Sequence, residues 1–396
     1  MKHALEGLRV VEAGTLIAGP FCGQLLGDLG AEVIKIEPPG GGDPMRQWGR
    51  VEKNGRPFWW EVIARNKKSI TLNLRDPDGQ DAARRLIETA DVVIENFRPG
   101  VMERWGLGYE ALSRNNPGLV MVRVSGYGQT GPYADRAGFG GIGEAMGGLR
   151  RLIGEPDRPP ARAGVSIGDS LAATFGALGA LAALRARDVT GIGQFVDSAI
   201  FEAVLAMTES LVPEYAGAGH VRERSGAVLP GVAPSNAYAC ADGEMILIGA
   251  NQDTVFKRLC EAMDRADLVD DPRFCDHRAR GEHQAEIDAI IAEWTAERPA
   301  GALLDVLHGA GVPAGKIFSA ADMMQDPHFK ARASLVDVEA QGLGPVTMQN
   351  VFPKLSATPG AVRSPAPSLG QHTDAVLKAV GYSEDQIDAL RRAGVI

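Results

Sequence analysis

Strand-length and helix-length stretches alternate through the first half of the chain, and that alternation restricts the fold more than any other feature. Leu8 to Ala13 reads as a short strand, Pro20 to Leu29 as a helix closed by Gly30, and Glu32 to Glu37 as a second strand stopped by Pro38, Pro39 and Gly40. Strand, helix and strand at that spacing make a right-handed βαβ unit, the hand that lets the helix pack back onto a twisted sheet. The pattern repeats. Ser69 to Leu74 is strand-like, Asp76 is an N-cap with Pro77 at the first helical position, that helix runs through Ile87, and Asp91 to Asn96 is the next strand. Leu119 to Ser125 continues the sheet, and Gln194 to Asp197 precedes a helix over Ser198 to Leu211. The first half is therefore an α/β layer structure.

Around Ala216 to Pro234 the composition shifts to Gly, Pro, Ser and Arg, the mark of a linker or crossing segment. Beyond it, Ala237 to Cys240 and Met245 to Gly249 flank an Asp242-Gly243 turn, a hairpin signal. Helices are expected at Asp253 to Met263, His283 to Glu297 and Ala300 to His308, which makes this segment a smaller α+β domain. From Gly344 onward Pro-containing loops lead to two short helices near Thr373 to Val380 and Ser383 to Arg392.

A chain of 396 residues, 45% hydrophobic, is too long for one ordinary domain and has the apolar content for a large core. Its net charge of -9 argues against nucleic acid as a partner, since phosphate contacts need clustered Lys and Arg. The first residues lack the apolar segment of a secretory signal, and the longest apolar run, Leu171 to Leu184, is shorter than the ~20 residues of a membrane span, so a soluble cytoplasmic protein without membrane contact is expected. Cys22, Cys240, Cys260 and Cys275 form no C-x-x-C pair, and the seven histidines have no zinc spacing, so no metal is expected.

The chemistry is placed at Ala163-Gly-Val-Ser-Ile-Gly-Asp-Ser170, with Asp169 at its centre. A carboxylate where a small-residue loop becomes a helix meets outward-pointing amides and the positive end of the macrodipole, which favour its ionised form. Such a group can attack an activated acyl carbon and form a covalent intermediate. The plain alternative is a helix cap, since Asp is a preferred N-cap residue. Gly138-x-Gly140-x-x-Gly143 matches the dinucleotide fingerprint formally, but these glycines do not follow a strand, and they read instead as places of close backbone approach. Phosphate-binding candidates are Lys67, Lys68, Arg75 and Arg104, with Asn96-Phe97-Arg98-Pro99-Gly100 at a strand end, where ligands collect in open parallel sheets. The alternative for Lys67 and Lys68 is ordinary surface charge. Glu12, Glu32 and Glu37 read as solvated strand ends and caps rather than metal ligands, and no G-x-S-x-G elbow occurs.

Several stretches together resemble class III CoA transferases of the formyl-CoA transferase type, a family that also includes α-methylacyl-CoA racemases. They are Leu5-Glu-Gly-Leu-Arg-Val-Val11, Ala18-Gly-Pro20, Leu29 to Glu37, Gly42-Asp-Pro-Met-Arg46, Asn66 to Ile70, Glu95 to Gly100, Gly168-Asp-Ser170, Thr190 to Gln194 and Gly311-Val-Pro-Ala314. The resemblance covers essentially the whole chain. It implies a Rossmann-like large domain built from both chain ends, residues 1–215 and 331–396, a linker at 216–235, a small α+β domain at 236–330, and an interlocked homodimer. It implies that Asp169 is the nucleophile, passing through a mixed anhydride and an aspartyl-CoA thioester, with coenzyme A or acyl-CoA as substrate rather than tightly bound cofactor and a small carboxylic acid as second partner. The matching CoA-contact positions are Ile17, Ala18, Leu72, Asn73, Leu74, Arg75, Asn96, Phe97, Arg104 and the loop Arg136, Ala137, Gly138 and Phe139. Gly249, Ala250 and Asn251 correspond to a substrate loop and resemble the branch that handles small dicarboxylates.

Two positions depart from the formyl-CoA transferase pattern. Pro38 replaces an Arg on CoA, and Gly140 replaces a Glu beside the acceptor, which argues against oxalate. A racemase or epimerase needs a His base where this chain has Phe139, which cannot accept a proton. A catalytically silent CoA-binding protein is the remaining alternative, disfavoured by the intact Gly168-Asp169-Ser170.

Overall fold

The computed structural model describes residues 2–396. The chain divides into two compact units: one comprises the chain up to Leu149 with Ala163–Gly219 and Lys330–Ile396, the other Arg150–Arg162 with His220–Phe329.

The first unit is organised on a parallel sheet whose elements follow as β1 (Arg9–Glu12), α1 (Ala18–Asp28), β2 (Glu32–Glu37), β3 (Lys67–Thr71), α2 (Pro77–Glu88), β4 (Val92–Glu95), α3 (Val101–Arg104), β5 (Val120–Ser125), α4 (Gly140–Met146), α5 (Ile167–Thr190) and β6 (Phe195–Ala199). The six strands stand in the order β3-β2-β1-β4-β5-β6 and every pair is parallel. This doubly wound order reverses between β1 and β4 and opens a crevice at the strands' carboxyl ends. Both faces are covered, which is why the strands are apolar on both sides. Val10, Val33, Val92, Ile94 and Val122 face the layer containing α1 and α5. Val11, Ile34, Ile36, Val93 and Met121 face α2 and the C-terminal helices Thr373–Ala379 and Glu384–Arg392.

Helix α5 positions the site. Its buried stripe is Gly168, Ala172, Ala173, Gly176, Ala177, Ala180, Ala183 and Leu184, and these small residues let the backbone lie close on the sheet. A Cβ on Gly176 would stand 3.1 Å from Val122 Cγ1, so nothing larger fits easily. By length and composition alone the helix is apolar enough to cross a membrane, yet this stripe is packed inside the unit. Ser198 Oγ, near the carboxyl end of β6, donates to Ala172 O at 2.8 Å, whereas Arg187 packs against Gly118 ahead of β5. The helix therefore runs antiparallel to the strands, and its N-terminus lies at their carboxyl edge.

Several expectations need correction. The third strand begins at Lys67 and ends at Thr71, so Leu72 to Leu74 form a loop rather than a strand end. The single helix expected over Ser198 to Leu211 is the end of β6, then α6 (Ile200–Leu205), then α7 (Leu211–Ala218), with Glu209 at φ 54° breaking the path between the helices. Pro213 is tolerated in the first turn of α7, where no intrahelical donor is lost. The proposed linker thus starts later than Ala216, after Gly219 at φ 67° caps α7. Residues Arg150–Arg162 belong with the second unit, not with the first. A hairpin pairs Leu335–Ala340 with Gly344–Gln349, so the stretch expected as loop from Gly344 onward begins with a strand; its strands alternate in burial as a half-buried hairpin must.

In the second unit, antiparallel strands stand in the order Ala314–Lys316, Met245–Gly249, Ser235–Ala239. Gly243 at φ 81° makes the expected turn. Helices Asp253–Ala262, Gln284–Ala296 and Ala300–Gly309 pack with the sheet around Tyr238, Ile246, Phe256, Leu259 and Ile287.

Candidate active site

A cleft of about 640 Å³ opens at the carboxyl edge where the strand order reverses. Ala13 and Thr15 line it after β1, Pro38 after β2, Leu72 to Arg75 after β3, Phe97 and Arg98 after β4, and Arg104 and Trp105 at the end of α3. Phe97 meets Trp105 edge-on with ring centroids 5.1 Å apart, giving an apolar wall. Arg75, Arg98 and Arg104 are exposed on the rim, and among the described residues none of the three is in an ion pair. Unpaired guanidinium groups around an aromatic wall suit a phosphorylated, partly aromatic ligand. The Leu72–Arg75 loop is fixed at both ends: Asn73 N donates to Val395 O at 2.8 Å, and Arg75 N to Asn73 Oδ1 at 3.2 Å.

Other expected contact residues are placed differently. The Asn96 amide is committed to the first βα loop, donating to Thr15 O and accepting from Thr15 N, each at 2.8 Å, so its side chain holds the loop's shape. Gly14 and Gly19 admit that side chain because neither carries a Cβ. Ile17 is buried with Met45, Trp60 and Ile63, and Ala18 is buried at the start of α1.

Beneath that loop lies a buried charge network that the sequence reading missed. Glu12 and Glu37 are fully buried rather than solvated. Glu12 accepts from Lys35 Nζ at 2.9 Å and Lys67 Nζ at 2.6 Å, and Lys35 also faces Asp43 at 2.7 Å. Asp43 Oδ1 accepts from Leu16 N at 3.2 Å and Met45 N at 2.9 Å, while Glu37 pairs with Arg46 at 2.7 Å. Burial alone would favour the neutral Lys35 amine, but Glu12, Asp43 and Glu37 outweigh it and hold its pKa above the ordinary lysine value. Lys67 goes the other way, lowered chiefly by burial against the partial compensation of Glu12. Lys67 is therefore a structural cation, unavailable to phosphate, whereas Lys68 is an exposed partner of Glu32. A signal existed in the sequence: Lys35 interrupts the apolar run of a strand buried on both faces, which demands an internal countercharge.

Asp169 occupies the first turn of α5, but it is not the cap: Ser166 holds the N-cap position, so Asp169 is the third helical residue. It is half-buried, in the positive field of the helix terminus. The loop Arg136 to Phe139 leads into α4 beside it. Arg136 stacks over Tyr133 at 3.6 Å, Gly138 lies against Gly126 after β5, and Phe139 is 70% exposed. Gly140 lies against the Asp169 carboxylate, and Glu144 Oε1 accepts from Gly168 N at 3.3 Å. Gly138, Gly140 and Gly143 are thus all close approaches, the last to Ile200.

Gly249, Ala250 and Asn251 belong to the second unit, at the end of its central strand. Their backbone is held: Gly249 N donates to Pro313 O and Ala250 N to Pro234 O, both at 2.9 Å, and Asn251 O accepts from the buried Arg280 at 2.8 Å. Among the described residues no group of three or more His, Cys, Asp or Glu side chains could hold a metal ion.

A doubly wound sheet with a cationic, aromatic-walled cleft at its reversal point and a carboxylate at a helix terminus on the same edge has the form of an α/β protein whose cleft suits a nucleotide-bearing ligand. The chain belongs to CoA-transferase family III, which it matches over residues 5–373. It is 58% identical over 393 residues to succinyl-CoA–D-citramalate CoA-transferase of Chloroflexus aurantiacus, covering 99% of this chain and 98% of that one. Succinate–glutarate CoA-transferase of Agrobacterium fabrum is 37% identical over 382 residues, covering 95% of each chain. The crystal structure of a CaiB/BaiF family protein from Brucella suis superposes with a TM-score of 0.85 at 35% identity, covering 96% of this chain and 100% of that one. The protein is accordingly a CoA-transferase, and its relatives transfer CoA between succinate and other dicarboxylic acids.

Proposed function

We propose that the protein moves CoA from succinyl-CoA to a five-carbon dicarboxylic acid of the citramalate kind, with Asp169 as covalent nucleophile. The observation that carries this reading is the placement of Asp169 in the first turn of α5, at the sheet edge that also bears the arginine-rimmed cleft; the whole-length similarity to the citramalate enzyme supports the choice of acid. The CoA phosphates sit against Arg75, Arg98 and Arg104. An Asp169 oxygen attacks the thioester carbonyl, the C–S bond breaks, and CoA leaves as thiolate with a mixed anhydride formed. The thiolate then attacks the aspartyl carbonyl, giving aspartyl-CoA thioester and free succinate. The acceptor carboxylate attacks that thioester, and the released thiolate takes the acceptor's acyl carbon, regenerating the Asp169 carboxylate. Every step exchanges carboxylate and thiolate leaving groups, so no proton need move and no base is required where Phe139 stands.

Purified protein given succinyl-CoA and, separately, D-citramalate, mesaconate, L-malate, glutarate and oxalate is expected to show the highest kcat/KM with citramalate and negligible turnover with oxalate. Preference for glutarate or malate would replace the acceptor assignment, and no transfer to any of these acids would refute it.

The homodimer belongs to the same proposal. Leu178 and Val189 on α5, with Val212 and Tyr215 on α7, are more than half exposed, an apolar surface that a second copy would cover. Light scattering over a wide dilution range is expected to show only dimer; a reversible folded monomer would end the interlocked reading.

A further inference from the structure

The loop joining β1 to α1 is held by side chains from other parts of the chain, and four successive backbone groups are taken. Lys35 Nζ, on β2, donates to Gly14 O at 2.9 Å. Asn96, after β4, engages both the N–H and the carbonyl of Thr15, and Leu16 N donates to Asp43 Oδ1 at 3.2 Å. Asp43 is itself fixed to the end of β2. Its N–H donates to Glu37 Oε2 at 2.9 Å, and its side chain caps the short 3-10 turn Pro44–Gln47 by accepting from Met45 N at 2.9 Å. Thr15 and Glu37 both line the cleft, so this brace joins two segments of its wall.

The brace holds a conformation that the loop does not prefer. Leu16 stands at φ 66°, in the left-handed region that residues other than glycine rarely occupy. Strain of this kind persists where the surroundings over-determine the backbone, and it gathers at ligand-binding segments. The groups that hold it are themselves costly to bury. Lys35 and Asp43 are each 1% exposed, and a buried ion pair is often no more stabilising than apolar side chains of the same volume. Stability therefore does not account for charges under this loop, whereas control of its shape does. Resting on the reading that the cleft holds CoA, we infer that Asp43 is a positioning residue for CoA binding: through Leu16 N it fixes the strained turn that keeps Thr15 on the cleft wall before the ligand arrives. Without that bond Leu16 relaxes toward negative φ, the peptide between Thr15 and Leu16 turns, and the wall must be ordered anew at each binding event. Ordering a loop on binding weakens affinity, and a preset loop avoids the loss. Asp169 is carried by α5, a different element, so the chemical step is spared.

The test is a matched pair, Asp43→Ser and Asp43→Asn. Both replacements are neutral and both can cap Met45 N, but the shorter serine hydroxyl does not reach Leu16 N as well, whereas the asparagine oxygen does. Both variants should melt below wild type, because each leaves Lys35 with one buried countercharge fewer. KM for succinyl-CoA and the calorimetric Kd for CoA are expected to rise about 10-fold in Asp43→Ser and less than about threefold in Asp43→Asn, with kcat within about twofold of wild type in both. Leu184→Ala is the control: it opens the core under the C-terminal half of α5, and it should melt lower while keeping the wild-type KM. A further readout needs no variant to fold. In wild-type protein without CoA, hydrogen exchange should find the Leu16 amide already protected. An unprotected Leu16 amide, an unchanged KM in Asp43→Ser, or equal rises in KM for the serine and asparagine variants overturns the inference. So does a KM that follows melting temperature through all three variants, which would mark general packing damage. Failure of the underlying reading looks different: Arg104→Ala, expected to raise KM for succinyl-CoA, would then leave it unchanged, and the inference would fall with the cleft assignment.

Discussion

Asp169→Asn and Asp169→Ala are expected to lower CoA transfer by about 10³-fold or more in kcat while leaving folding and CoA binding near wild type, because removal of a covalent nucleophile deletes the reaction path rather than a contact. The structure makes the contrast with a structural role sharp. Asp169 is not the N-cap of α5, so its replacement removes no cap; the loss in stability includes a first-turn acid's interaction with the helix dipole, about 0.3–1 kcal/mol. If Asp169 served only the helix, Asn would retain activity. Wild-type protein given succinyl-CoA without acceptor should accumulate an adduct that hydroxylamine traps, and peptide mapping should place it between Gly168 and Ser170. A label on another residue, or an active Asn variant, would remove the covalent mechanism.

Lys35→Met should cost about 3–5 kcal/mol of stability at neutral pH, the usual loss when one partner of a buried ion pair is removed. Lys35 is fully enclosed between Glu12 and Asp43, with Glu37 nearby, and its removal leaves these carboxylates without their shared cation. The pH dependence follows from the signs. In wild type the raised Lys35 pKa contributes stability fully present below the unfolded lysine value of ~10.4 and lost only as pH climbs through the still higher folded value. Glu37, lowered despite burial by Arg46 and Lys35, contributes stability present above the unfolded value of ~4.3 and lost as pH falls through its depressed folded value. In the variant the carboxylates stay buried without the Lys35 charge, so the penalty is full while they are ionised and is relieved as falling pH protonates them. Urea denaturation at pH 7 and pH 5 should therefore show the gap between wild type and variant narrowing toward acid. A constant gap would mean that the cost is packing, not charge.

The sequence by itself determined the elements that rest on local chemistry. Strands β1, β2, β4 and β5 emerge from apolar runs closed by Gly and Pro, α2 from Asp76 and Pro77 at its start, and the second-unit hairpin from its Asp242-Gly243 turn, because caps, turns and periodicity act within a few residues. The Leu335–Gln349 hairpin carries a period-2 alternation of apolar and polar residues, Val336-Asp-Val-Glu-Ala340 and Val346-Thr-Met-Gln349, although the Pro-containing stretch from Gly344 onward reads as loop. Asp169 stood out through its small-residue loop and the helix after it. Tertiary structure alone decided what the charges do. Glu12, Glu37, Lys35 and Lys67 are far apart or ambiguous along the chain, and only the alignment of β1, β2 and β3 brings them into one buried network. Asn96 likewise carries the signature of a ligand contact, yet folding places its amide on Thr15, a partner 81 residues away. Gly140 shows the limit most clearly: a glycine is locally silent about its neighbours, and only the approach of α4 to α5 places it against the carboxylate of Asp169.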